Sequence, residues 1–181
     1  MERFLRAIKY DVEYIRNESE DRYYADCLEN ENAPTILHDD ALLPHFKELA
    51  DAVQVTTADV EFWIENIELH PKVLGILCPV MEGKVTAISM RHMRFPVSDV
   101  KCYEIITTSI GRNYTLKVLS WVHNRIPSDE QAGLLIKSAI HNQSIHTLHL
   151  DNCFDQTGVN GCRALTTLMT CGRPFDALSF R

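Results

Sequence analysis

The sequence predicts an α/β fold: a solenoid of strand–helix units, with parallel strands on its concave side, helices on its convex side and an N-terminal helical cap. Three observations predict it. Four short apolar segments start at Val85, Leu116, Ile145 and Phe175, so they stand 31, 29 and 30 residues apart. The intervals between them repeat too, with a helix-capping hydroxyl, an apolar helical stripe and a turn residue at matching offsets. The first half of the chain carries helix-spaced apolar residues among charges but lacks that period.

Residues 1–16 read as an amphipathic helix, because Phe4, Leu5, Ile8, Val12 and Ile15 recur at steps of three and four. Residues 17–34 are polar and acidic and read as a connector, anchored by Tyr23, Tyr24 and Leu28. Residues 39–52 return to helical spacing through Ala41, Leu42, Leu43, Phe46, Leu49 and Ala50, with Asp39 or Asp40 as cap. Residues 1–52 are therefore expected to form the acidic helical N-terminal region. The array is expected over 53–181, with clear units from 85. Val53–Val55 is a candidate first strand. After Thr57, Val60, Trp63, Ile64 and Ile67 keep helical spacing and predict a buried helical face. Pro71 suits the first turn of a further helix bearing Val73, Leu74, Leu77 and Val80, with Pro79 ending or kinking it and Gly83 closing it.

From Val85 onward each strand segment has apolar residues at its first, fourth and sixth positions. These are Val85, Ile88 and Met90; Leu116, Leu119 and Trp121; Ile145, Leu148 and Leu150; Phe175, Leu178 and Phe180. The ninth position is Asn124 in the second segment and Cys153 in the third. Ser98, Ser128 and Thr157 are placed to cap the helices, and Gln131 makes Ser128 part of a capping box. Ile106, Leu135 and Leu165, with Ile110, Ala139 and Met169, form the helical stripe. Asn113, Asn142 and Gly172 tolerate the left-handed conformation that ends a helix.

The segment from Ile145 to Cys153, IHTLHLDNC, has the form L-x-x-L-x-L-x-x-N/C and resembles a leucine-rich repeat strand. A period near thirty with a long capped helix is similar to the ribonuclease-inhibitor type of that repeat. The resemblance covers residues 85–181 and extends loosely over 53–84. It implies a parallel strand sheet lining a hollow, with a binding rather than a catalytic role. Trp121 is large for its slot, and Met93 stands where Asn or Cys is expected, so the first copy is expected to turn differently.

Positions between the leucines alternate to the open side of a strand. They present Ala87, Val118, Thr147 and Ala177, then Ser89, Ser120, His149 and Ser179, then Arg91, Val122, Asp151 and Arg181, then His92, His123 and Asn152. Such a face of small and polar groups suits a protein or peptide partner better than a small molecule. The candidate partner-binding residues are Arg91, His92, Ser120, Val122, His123, His149 and Asp151. His146 and His149, three apart, point to opposite sides, which leaves His149, Asp151 and His123 as a weak ligand set, and no metal site or cofactor is expected.

The expected function is that of a non-catalytic protein-interaction module. One alternative is an adaptor or regulatory subunit whose N-terminal helices carry the contact; another is a metal-dependent hydrolase using the histidine-rich middle. Among the 181 residues, positions 1–100 hold 19 acidic and 10 basic residues, and 101–181 hold 6 and 8. The acidic half argues against nucleic acid as a partner, since phosphates need a basic surface. The charged N-terminus is neither a secretory signal nor a membrane span, so no membrane contact and a cytoplasmic location are expected. Six cysteines without a C-x-x-C pair fit buried reduced thiols. The last strand segment has no helix after it, which predicts a piece of a longer array or self-association through an open strand edge.

Overall fold

The computed structural model describes residues 1–17, 21–25, 34–96, 100–155 and 157–180. Six strands and six α-helices are found among them. In chain order they are α1 (Glu2–Asn17), β1 (Arg22–Ala25), α2 (Leu43–Val55), β2 (Asp59–Glu65), α3 (Pro71–Met81), β3 (Val85–Arg91), α4 (Val100–Arg112), β4 (Val118–Val122), α5 (Asp129–His141), β5 (Thr147–Leu150), α6 (Val159–Thr170) and β6 (Ala177–Phe180). A short 3-10 turn at Asp40–Leu42 leads into α2.

All six strands belong to one sheet, in the order β1 to β6, and every neighbouring pair is parallel. Parallel neighbours need a crossover, and a helix supplies it between each pair. The helices stack in chain order as well, α1 on α2 through to α5 on α6. One apolar cluster runs through the whole stack, from Phe4 in α1 to Leu168 in α6. The strands feed it with alternate residues: Val60, Phe62 and Ile64 from β2, Leu119 and Trp121 from β4, Leu148 and Leu150 from β5. The fold is therefore an α/β sheet with helices covering one face.

The four apolar segments from Val85 onward all form strands. Their first, fourth and sixth residues are buried in the first three copies. In the last copy, Leu178 is 36% exposed and Phe180 38% exposed. Trp121 fits its slot, because Phe95 and Tyr103 enclose it with ring centres 5.9 and 6.0 Å away. Met93 does not change the turn after β3: His92, His123 and Asn152 all have φ between 50° and 54°. Asn66, after β2, has the same φ of 54°. The backbone N–H of Met93 donates to Oδ1 of Asn124 at 2.6 Å, and Asn124 Nδ2 donates to the Met90 carbonyl at 2.8 Å. The neighbouring unit thus supplies the amide that the first copy lacks.

Other expectations change. Val53–Val55 is the last turn of α2. The stretch after Thr57 is β2, not a helix: Val60, Phe62 and Ile64 point inward with a period of two, and Trp63 points the other way at 41% exposed. Residues 22–25, expected as connector, form β1 beside β2, with Tyr23 buried and Tyr24 exposed; Leu28 lies outside the described residues. Pro79 sits within α3, which continues to Met81 before Gly83 turns at φ 95°.

The helix ends differ too. Ser128 does cap α5, accepting from the N–H of Gln131 at 3.3 Å. Ser98 lies outside the described residues. Thr157 bonds the Phe154 carbonyl instead of capping α6. The cap of α6 is the carboxylate of Asp129, at the start of α5. It accepts from the N–H groups of Gly158, Asn160 and Gly161 at 2.6, 3.2 and 3.0 Å. Gly172 takes the left-handed turn at φ 74°, but Asn142 ends α5 with φ −75°, and Asn113 is not among the positive-φ residues. Both asparagines are buried ties between units. Asn113 Nδ2 donates to the Val85 carbonyl at 2.9 Å, and Asn142 Nδ2 to the Ile110 and Asn113 carbonyls at 2.6 and 2.7 Å. Arg173 does the same work one unit on, reaching the carbonyls of Ala139, Ile140 and Ile145. In α6, Met169 is exposed and Leu165 only partly buried, since no further helix covers them among the described residues.

Candidate functional site

The face of the sheet away from the helices is uncovered among the described residues, and strand register fixes its columns. One row runs Tyr24, Glu61, Ala87, Val118, Thr147 and Ala177. The next runs Trp63, Ser89, Ser120, His149 and Ser179. A third pairs Glu65 with Arg91 and Arg91 with Val122, and Asp151 follows β5 at that level. The middle is floored by small side chains. Trp63 and Tyr24 stand over one side of it, and polar groups line the other.

Ser120, Val122, His149 and Asp151 lie together on this face as their alternation predicts. His149 and Asp151 do not contact directly. Ser179 bridges them: His149 Nδ1 is 2.8 Å from Ser179 Oγ, which lies 3.3 and 3.5 Å from the Asp151 carboxylate oxygens. The carboxylate therefore holds the hydroxyl and does not orient the imidazole, which is not the order that activates a serine nucleophile. Arg91 ends its row beside the buried Glu65, 3.9 Å away. Arg181 lies outside the described residues, and His146 is exposed off the face.

His92 and His123 sit at the rim, where the chain leaves β3 and β4. Their left-handed backbone, which histidine tolerates better than most residues, turns both rings the same way. The rings stack with centres 4.9 Å apart and planes 2° apart. Beyond them the loops after the strands pair briefly: Ile36 with Ile67, and Glu68 with Arg94. A cleft of about 600 Å³ opens there, bounded by Arg94, Phe95, Arg125 and the two histidines. A smaller hollow of about 280 Å³ adjoins it across His92 and His123.

The residues missed from the sequence are Trp63, Tyr24, Glu61 and Glu65 on the face and Arg94 and Arg125 at the rim; Ser179 is read onto the face, without its bridging contacts. For Trp63 a signal existed: Val60, Phe62 and Ile64 alternate strictly, and only the off-phase Trp63 imitates helical spacing. Among the described residues, no group of three or more His, Cys, Asp or Glu side chains stands close enough to hold a metal ion. Burial raises the thiol of Cys153 to about 12, with Asp151 and Asp155 adding to the effect, so it stays protonated and unreactive at neutral pH. No described helix is long and apolar enough to cross a membrane.

No protein-family model and no curated protein matches the sequence. Among solved structures, the chain is similar to one described as Leiomodin-1 Actin-Binding Site 2 (ABS2), with a TM-score of 0.58. The likeness covers 90% of this chain and 87% of that one, at 13% identity. At that identity it is a likeness of fold.

Proposed function

We propose that the chain is a non-catalytic protein-interaction module, a leucine-rich repeat solenoid resembling the ribonuclease-inhibitor type. It binds a protein partner through the open strand face. The fold supports the repeat reading at three points: the left-handed turn at Asn66, His92, His123 and Asn152; the sequential parallel sheet; and the buried side chains that tie neighbouring units. The repeats on this reading begin at β1, with α1 as the N-terminal cap. That moves the start of the array back from residue 53.

The observation that carries the functional reading is Trp63. A tryptophan at 41% exposure, in register with Ser89 and Ser120 and next to the row of Ala87 and Val118, leaves apolar surface uncovered among the described residues. Tryptophan and tyrosine are favoured anchors in protein interfaces because they bury a large area at little entropic cost. The similar solved structure is described as an actin-binding site, which makes actin the first partner to try.

The test has two arms. Labelled actin is titrated with the protein, and a photo-crosslinking residue is placed in turn at Ser120 on the face and at Lys137 on the helix side. The reading expects protein adducts from position 120 and few from 137, with Trp63→Ala reducing them. Adducts from 137 alone, or equal yields with Trp63→Ala, would overturn it. Failure to bind actin with adducts still forming at 120 would change the partner and leave the surface in place.

A further inference from the structure

We propose that the rim cleft beyond the strand ends is a second contact site, one that takes an acidic segment of the partner's chain. This rests on reading the chain as a protein-binding module, and it concerns the rim beside the open strand face, which shares His92 and His123 with the candidate partner-binding residues.

The cleft is cationic in an acidic protein. Net charge over the sequence is −7, yet the described residues lining this cleft include two guanidinium groups and two imidazoles and no carboxylate. Arg94 is exposed, and its guanidinium has no hydrogen bond or ion pair among the described residues. Its backbone, by contrast, is fixed: its N–H donates to the Ile67 carbonyl at 3.1 Å, and its carbonyl accepts from Leu69 at 2.9 Å. An unpaired guanidinium carried on a fixed backbone can receive a carboxylate, because its planar fork matches two carboxylate oxygens.

Arg125 is also tied at its backbone, but its side chain is shared with a carboxylate. The Tyr103 hydroxyl donates to its carbonyl at 3.2 Å, and its Nε lies 3.4 Å from Asp155, with the side chain as a whole 74% exposed. The stacked rings of His92 and His123 share the lining with the two arginines and offer further nitrogen donors. The wall is aromatic, with Phe95 packed on Tyr103 at 4.6 Å. Guanidinium forks over an aromatic wall fit a glutamate- or aspartate-rich stretch that carries an apolar side chain. The volume of about 600 Å³ holds a few residues of such a stretch.

The probe is a fluorescein-labelled peptide alternating glutamate and phenylalanine, titrated into the full chain by polarisation, beside a control peptide with glutamine for glutamate. The proposal expects saturable binding of the acidic peptide, weakening as salt rises. The glutamine peptide should bind at least about tenfold more weakly, and Arg94→Ala with Arg125→Ala should cost about tenfold or more, since charge-assisted bonds are the strong ones. Lys137→Ala removes one equal charge from α5 and should leave binding unchanged. Circular dichroism of each variant checks folding. The proposal fails if no saturable binding occurs, if the glutamine peptide binds equally, or if Lys137→Ala weakens binding as much as the arginine pair. It fails too if an oligothymidylate of equal charge binds as tightly, because the cleft would then be a general polyanion patch. Crosslinks from position 120 that persist while the peptide fails to bind would leave the open-face reading standing and this one alone rejected.

Discussion

The units built on β2 and β5 occupy equivalent places in the sheet and turn opposite chemistry outward. Both bury alternate residues against the helices: Val60, Phe62 and Ile64 in one, Leu148 and Leu150 in the other. Outward, β2 shows Glu61 and Trp63, with Glu65 buried beside Arg91, whereas β5 shows Thr147 and His149, with Asp151 just beyond. The inward set satisfies packing and is interchangeable between units. The outward set is free of that constraint, so it is where the units differ and where a partner can tell them apart.

The most severe way to break this comparison is to exchange inward for outward truncations. Phe62→Ala and Leu148→Ala each leave a cavity in one continuous core and should cost about 3–5 kcal/mol in urea unfolding. Trp63→Ala and His149→Ala should cost on the order of 1 kcal/mol or less, because surface truncations lack the cavity term. A loss at Trp63 as large as that at Phe62 would mean that the ring is packed, and the open face would lose its anchor.

The same division decides what could be read from residue order. Ile88, Leu119 and Leu148 recur at near-equal offsets because each fills the corresponding inward slot of one continuous core, so the strands from Val85 onward were legible. β2 was not, because its outward Trp63 joins Val60, Ile64 and Ile67 in a helical spacing. β1 has four residues, too few for alternation to register. The ties between units left no local trace: Asp129 caps a helix about thirty residues on, and Asn113 bonds a carbonyl 28 residues back. On the site, period two placed His149 and Asp151 on the face, but Ser179 between them depends on pairing with β6. The rim is a product of loop crossing, and nothing near Arg94 or Arg125 in the sequence announces that the two share a cleft.

Those ties give the next two effects. Asn124→Ala strands the Met93 N–H and the Met90 carbonyl without their partners and should cost about 2–4 kcal/mol, since each orphaned buried group carries its own desolvation cost. Asp129→Ala removes an anionic cap from three amides and should cost about 1–2 kcal/mol. Its effect should be local. Hydrogen exchange at Gly158, Asn160 and Gly161 should rise ahead of exchange in β2, and a uniform rise across the sheet would mean that α6 does not loosen separately.

The smallest effect sets the two units side by side through their thiols. Cys78, on the helix after β2, and Cys153, just after β5, are both raised from an ordinary value of 9.0 to about 12, and burial is the largest cause of each. At Cys78 a hydrogen bond with Ser109 opposes the rise and Glu82 adds to it; at Cys153, Asp151 and Asp155 both add. An acid whose folded value is raised stabilises the fold fully below its unfolded value. That contribution is lost as pH climbs from 9 toward 12, because the unfolded thiol ionises first. Each thiol should therefore remove about 1.4 kcal/mol per pH unit once pH is above the unfolded value. Urea midpoints measured from pH 8 to 10.5 should fall, and Cys78→Ala and Cys153→Ala should each flatten the fall by a similar amount. A flattening by Cys78→Ala alone would show that the β5 unit opens to water where the β2 unit does not. The two units would then differ in their core as well as on their outward face.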